Sequence, residues 1–247
     1  MTALALDCAA RTDPGRVRDH NEDAVFATPR LAAVADGVGG HAAGEVASQV
    51  AIGALASLEK RWLDSTLAHE LAAAVRDGNE RIGFIASCRP AMEGMATTLT
   101  AVALREEYVV ANIGDSRTYL LREGQLVQLT RDDSYLQMLL DGGLVEPDAA
   151  RTHPQRNLVL EVLDGAPQRA PTVTKHEARA GDRLLLCSDG ISDVLAEDEI
   201  RELLARGHPP GAAGQLIGAA LEAGSRDNLS AVVADAVPSD TAPAWTR

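Results

Sequence analysis

Two apolar runs, Leu31 to Ala35 and Arg183 to Ser188, stop on the pairs Asp36-Gly37 and Asp189-Gly190. Short apolar runs closed by glycine predict buried β-strands. Asp-Gly after a strand usually opens a hairpin. Here neither pair leads into a second strand: Gly37-Val38-Gly39-Gly40-His41 and Ile191-Ser192-Asp193 each give way to a helical pattern. Val46, Val50, Ala54, Leu55, Leu58 and Trp62 recur at helical spacing, which predicts a helix from about Gly44 with one stripe facing a core. A second helix is predicted from the caps Ser65-Thr66, carrying Leu67, Leu71, Val75, Ile82 and Ile85.

The period then changes. Thr97 to Leu104, Tyr108 to Ile113, Arg117 to Leu121 and Gln125 to Leu129 are β-rich runs parted by Glu106-Glu107, Asp115-Ser116 and Glu123-Gly124, which predicts an antiparallel meander. A short helix is predicted near Tyr135 to Leu140. Strands are predicted at Val25 to Ala27, Leu158 to Leu163, Thr172 to Ala178 and Leu229 to Ala236, and helices at Glu197 to Ala205 and Pro210 to Leu221. Strands and helices come in blocks rather than in alternation. That points to an α+β fold, antiparallel sheets covered by helix pairs.

Composition narrows the partners. The chain has 247 residues, 46% of them hydrophobic, enough for one substantial core. Its formal charge of −13, with no basic cluster, argues against nucleic acid or an anionic membrane as partner. The three cysteines Cys8, Cys88 and Cys187 are odd in number and far apart, so a reducing cytoplasm is expected, with Cys187 a buried structural thiol. No run reaches the length of a membrane helix, and the N-terminus lacks a signal-peptide pattern.

A solvated surface accounts for most of the acids. It does not account for Asp36, Asp115, Asp189 and Asp227, which sit beside apolar strand runs. Taken singly, Asp115 in Asn112-Ile113-Gly114-Asp115 and Asp227 in Asp227-Asn228 read as turn residues. Taken together, Glu22, Asp36, Asp115, Asp189, Asp193 and Asp227 could converge only at a severe electrostatic cost. Divalent cations remove that cost, and all-oxygen ligation suits magnesium or manganese, whereas zinc normally recruits His or Cys. The Gly37 carbonyl could join such a shell. The Gly39-Gly40 pair matches neither the P-loop nor the dinucleotide spacing.

The ordered set Arg-x-x-Asn-Glu-Asp from Arg18, Ala-Asp-Gly-x-Gly-Gly-His through Asp36, Gly-x-Ala-Thr-Thr from Gly94, Asn-x-Gly-Asp-Ser-Arg from Asn112, Cys-Ser-Asp-Gly from Cys187 and Asp-Asn-x-Ser from Asp227 spans nearly the whole chain. It resembles the bacterial branch of the type 2C metal-dependent serine/threonine protein phosphatases. The resemblance implies a four-layer αββα sandwich, two antiparallel sheets flanked by pairs of antiparallel helices. It implies one catalytic domain over residues 1–238, a flap at about 131–157 and a short tail at 239–247.

It also implies roles. Asp36 would bridge two Mn2+ or Mg2+ ions; the Gly37 carbonyl, Asp189 and Asp227 would complete the shell, with Glu22 acting partly through water. Asp23 belongs to this set although strand alternation points it away from Glu22. Asp115, with Asp189 or Asp193, would hold a third, weaker ion. Arg18 would clamp the substrate phosphate while a metal-bridging hydroxide attacks phosphorus in line. The substrates implied are phosphorylated proteins, including a serine/threonine kinase, met by a cytoplasmic monomer.

Three positions depart from the family pattern. Val38 stands where animal members carry a histidine proposed as general acid, so the leaving alkoxide is expected to take its proton from metal-bound water, with His20 as the alternative. Asp132-Asp133-Ser134 replaces Asp-His-Ser, and Val159 to Leu163 replaces a polar Thr-Arg stretch. The last two bear on substrate preference. The rival readings are a degenerate, non-catalytic phosphatase domain, another two-metal hydrolase and a spore-type regulatory phosphatase. No expected ligand is missing, and a nuclease is disfavoured by the acidic surface.

Overall fold

In a computed structural model, residues 3–38, 42–59, 66–150 and 153–241 are described. Twelve strands are found among them: β1 (Leu4–Asp13), β2 (Ala24–Ala27), β3 (Leu31–Ala35), β4 (Gly37–Val38), β5 (Ala96–Thr97), β6 (Leu99–Leu104), β7 (Glu107–Ile113), β8 (Arg117–Arg122), β9 (Gln125–Gln128), β10 (Thr172–Glu177), β11 (Arg183–Cys187) and β12 (Leu229–Pro238). The helices are α1 (Ala42–Glu59), α2 (Leu67–Cys88), α3 (Tyr135–Asp141), α4 (Pro147–Ala150), α5 (Asp189–Ser192), α6 (Glu197–Leu204) and α7 (Pro209–Glu222).

Two five-stranded sheets dominate, in the orders β1-β12-β11-β8-β9 and β10-β7-β6-β3-β2, with every pairing antiparallel. Strand alternation explains why their central strands are apolar throughout. In β3, Leu31, Ala33 and Ala35 pack toward Leu55, Leu71, Val75 and Ile82 of α1 and α2. The intervening Ala32 and Val34 meet Leu184, Leu186 and Val232 of the other sheet. In β11 the roles mirror these: Leu185 and Cys187 pack on Ile200, Leu204 and Leu216 of α6 and α7. Three apolar interfaces therefore separate four layers, the αββα sandwich expected. Each fully buried leucine in them contributes about 2 kcal/mol.

Several sequence expectations are corrected. The run from Thr97 to Leu129 is no single meander: β6 pairs with β7 and β8 with β9, but the two hairpins lie in different sheets. The chain crosses between sheets at Gly114-Asp115-Ser116, and the crossing is closed by the buried hydroxyl pairs Thr98–Ser116 and Thr100–Thr118, both at 2.7 Å. Leu158 to Leu163 forms no strand, only isolated bridges of Val159 to Ser134 and Leu163 to Thr97. Gly37-Val38 does enter a strand, a two-residue one paired with Ala96-Thr97. The edge strand β1 was not expected. Thr66 occupies the N-cap of α2 but makes no side-chain cap bond. Ser65 and Trp62 lie outside the described residues, as do Gly39, Gly40 and His41. Among the described residues, no helix is long and apolar enough to cross a membrane.

Candidate active site

The conspicuous acids meet at one end of the sandwich because the strands carrying them end there. Asp36 leaves β3, Asp115 sits at the crossing between sheets, Asp189 follows β11, and Asp227 lies just before β12. With Arg18, Glu22 and Gly37 they line a single pocket of ≈650 Å³. Asp193 is set beside it, lining two adjoining hollows, one of them shared with Asp115. Asp23 is placed behind the wall rather than on it: buried, its Oδ2 accepts from Ser188 Oγ at 2.9 Å.

Backbone contacts fix this arrangement. The Asp36 N–H donates to Thr98 Oγ1 at 3.1 Å, and the Asp36 carbonyl accepts from Thr98 N–H and Thr97 Oγ1, each at 2.9 Å. The Glu22 N–H donates to Asn228 Oδ1 at 2.8 Å, while the Glu22 carbonyl accepts from Ser48 Oγ at 2.6 Å. Asn228 also ties down the loop ahead of Glu22, its Nδ2 donating to the Pro14 and His20 carbonyls. A Cβ on Gly37 would lie 2.3 Å from the Gly44 carbonyl oxygen and 2.6 Å from that of Glu22. A bare Gly37 therefore lets β3, α1 and the Glu22 segment converge. Thr97, Thr98, Ser188 and Asn228 act by position alone. All four lie inside the motifs quoted above, but no local periodicity marks them as positioning residues.

Electrostatics make the site expensive as it stands. Burial, then the neighbouring carboxylates of Asp23, Asp189, Asp115 and Asp227, hold Asp36 well above its usual pKa. Asp189 is raised in the same way, by burial and then by Asp115, Asp193, Asp227 and Asp23. Burial is also the main cause for Asp23, pushed up to about 6, and for Asp115, pushed up to about 7 with help from Asp132 and Asp193. Asp189 Oδ1 and Asp23 Oδ1 are buried without a hydrogen-bond partner. Arg18 Nη2 donates to Asp227 Oδ2 at 2.6 Å, and Arg156 Nε stands 3.9 Å from Asp193 Oδ2. Among the described residues, no three His, Cys, Asp or Glu side chains already stand at metal-cage spacing. Raised carboxylates, with the Asp189 Oδ1 on the pocket wall left without a partner, nevertheless fit hard cations better than any neutral ligand.

Stability should follow pH accordingly. The ordinary value of these acids is 3.8, and a raised folded-state value means the native state holds protons that the unfolded chain releases. Their contribution is complete below about pH 4 and is lost as pH rises through about 6 to 7. In EDTA, the urea midpoint at pH 7.5 is expected below that at pH 5, by about 3 kcal/mol of unfolding free energy. An equal or higher midpoint at pH 7.5 would show that the carboxylates are not desolvated.

Cys187 is buried, and burial pushes its thiol up to about 12, as expected of an inert structural cysteine. The proposed flap region holds α3 and α4. It is rooted by Asp132, whose carboxylate accepts from Arg117 Nε and Nη2 at 2.6–3.0 Å, and by the Gly114 N–H, which donates to Asp133 Oδ2.

Comparison with known proteins supplies the context. Residues 16–222 match the family described as protein phosphatase 2C. Over 238 residues the chain is 49% identical to the serine/threonine protein phosphatase PstP of Mycobacterium tuberculosis, covering 96% of this chain and 46% of that protein. The chain thus spans less than half of that relative. It is 37% identical to the serine/threonine phosphatase stp of Listeria monocytogenes, with 78% and 81% covered. Among solved structures, the PstP catalytic domain in complex with two manganese ions is 48% identical, superposes with a TM-score of 0.89, and is covered to 99% by 95% of this chain.

Proposed function

The chain belongs to the protein phosphatase 2C family, and we propose that it hydrolyses phosphoserine and phosphothreonine in proteins with manganese or magnesium bound at the carboxylate pocket. The observation that carries this reading is the convergence of Asp36, Asp115, Asp189 and Asp227 on one pocket beside Arg18. In it, Asp36, Asp189, Asp227 and the Gly37 carbonyl would hold two core cations, with Glu22 reaching them partly through water. Asp115 and Asp193 would hold a third, with Asp23 backing the set from behind the pocket wall. When bound, such cations neutralise the carboxylates and acidify a water for in-line attack on phosphorus.

The chain's own residues supply the rest. Arg18 lies 55% exposed at the pocket mouth, where its guanidinium can pass from Asp227 to a phosphoryl group and orient it by paired N–H donors. Thr97 and Thr98 hold the backbone of Asp36 so that its carboxylate keeps one direction through turnover. The exposed Val38 puts no proton donor beside Gly37, so the leaving alkoxide would take its proton from water, with His20, which lines the same pocket, as the alternative.

We further infer a single catalytic unit over residues 1–238, with a flap at 131–157 and a tail at 239–247, acting as a cytoplasmic monomer against a serine/threonine kinase. Free cysteines and the acidic composition support that setting. Phosphothreonine peptides should release phosphate with Mn2+, stop doing so in EDTA, and be indifferent to okadaic acid. Turnover that survives complete chelation, or none with Mn2+, would overturn the reading.

A further inference from the structure

The catalytic pocket does not end at Asp227. It opens into a second groove of ≈530 Å³ that shares Arg18, Asn157, Asp189 and Asp227 with it and adds Arg156 and Arg226 on its outer side. Arg226 comes from the loop between α7 and β12, Arg156 from the segment that follows α4. Most described arginines near an acid are committed: Arg117 to Asp132, Arg122 to Asp182 and Arg183 to Asp235, at 2.5–2.6 Å. These two are not. Arg226 makes no side-chain hydrogen bond or ion pair among the described residues, and Arg156 Nε stays 3.9 Å from Asp193 Oδ2, beyond hydrogen-bond reach. The two guanidinium groups thus keep most of their donors, in a chain whose formal charge is −13.

Three acids, Asp189, Asp193 and Asp227, share the groove with three arginines. On the function proposed above, cations neutralise those acids and Arg18 turns to the scissile phosphate. What then remains is positive charge in a groove that adjoins the catalytic pocket. We propose that Arg226, assisted by Arg156, binds a second anionic group on the same polypeptide, so that preferred substrates carry an acidic or second phosphorylated residue beside the one being hydrolysed. A planar guanidinium takes carboxylate or phosphate with the same pair of N–H donors, so both sources share one chemistry. This inference rests on the phosphatase reading.

The test uses one phosphothreonine peptide core in three forms, with neutral neighbours, with glutamates flanking the phosphothreonine, and with a second phosphothreonine. The wild-type chain with Mn2+ should favour the doubly anionic forms over the neutral one by about three- to tenfold in kcat/KM, chiefly through KM. Arg226→Ala should bring that ratio to within about twofold of unity, and Arg226→Glu should push it below one. A gain with both anionic peptides supports a general acidic subsite; a gain confined to the doubly phosphorylated one supports a second-phosphate subsite. A wild-type ratio near one, or an Arg226→Ala loss equal for all peptides, overturns the subsite while the neutral peptide's turnover leaves the phosphatase reading standing. Absence of turnover on every peptide overturns both.

Discussion

Asp36→Asn should lower kcat on a phosphothreonine peptide by about 10³-fold or more, because on the proposed function it removes the carboxylate that would serve both cations, worth several kcal/mol. The same change should make the metal-free protein more stable. Asp36 is held well above its usual pKa by burial and by four neighbouring acids, so its carboxylate opposes folding at neutral pH. Asparagine keeps the shape and discards the charge, for an expected gain of about 1–2 kcal/mol at pH 7.5. The bonds from Thr97 and Thr98 go to the Asp36 backbone, so they survive the substitution. Lost activity with gained stability distinguishes a site residue from a structural one. Near-normal turnover would remove Asp36 from the site.

Gly190→Ala should damage both fold and site. The Cβ it adds would lie 1.9 Å from the Asn228 carbonyl oxygen, a backbone atom that cannot swing aside. The α5 and β12 segments must part, which costs about 3 kcal/mol. Asp189 and Asp227 adjoin the two atoms forced apart, so Mn2+ affinity should fall with stability. Gly218→Ala is the comparison: it lies within α7 with nothing inside 4 Å of the added methyl. There alanine should stabilise by about 1 kcal/mol, since it restricts the unfolded chain and favours helix. Urea denaturation of the pair, with and without Mn2+, measures both effects; equal stabilities would mean that the Gly190–Asn228 approach is not tight.

The parts of the fold legible in the sequence are those where burial is one-sided or total. α2 showed its stripe, and β3 and β11 their unbroken apolar runs, because both faces of these strands are covered. The edge strand β1 hid because only Ala5 and Leu6 within it are fully buried and it pairs on one side alone. The false meander has a local cause: Gly114-Asp115-Ser116 looks like a hairpin turn, and nothing in those residues says that the next strand joins another sheet. Leu158 to Leu163 was read as a strand from composition, yet Leu158 and Leu160 are exposed and Val159 lines the catalytic pocket.

The acids of the site were legible because their motifs recur in a fixed order. The residues that aim them were not. Asn228 reaches Glu22 across 206 positions, and Ser188 reaches Asp23 across 165, through contacts that leave no periodicity. Asp23 shows the limit of strand alternation as a guide: it does point away from the pocket, and burial and charge link it to Asp36 nonetheless.

Crystals grown with Mn2+ and measured at the manganese absorption edge test the core of the account most directly. Two anomalous peaks about 3.5–4 Å apart, with the Asp36 carboxylate between them and Asp189 and Asp227 on either side, are the result expected. Manganese found only away from that pocket, or no ordered manganese at saturating concentration, would contradict it.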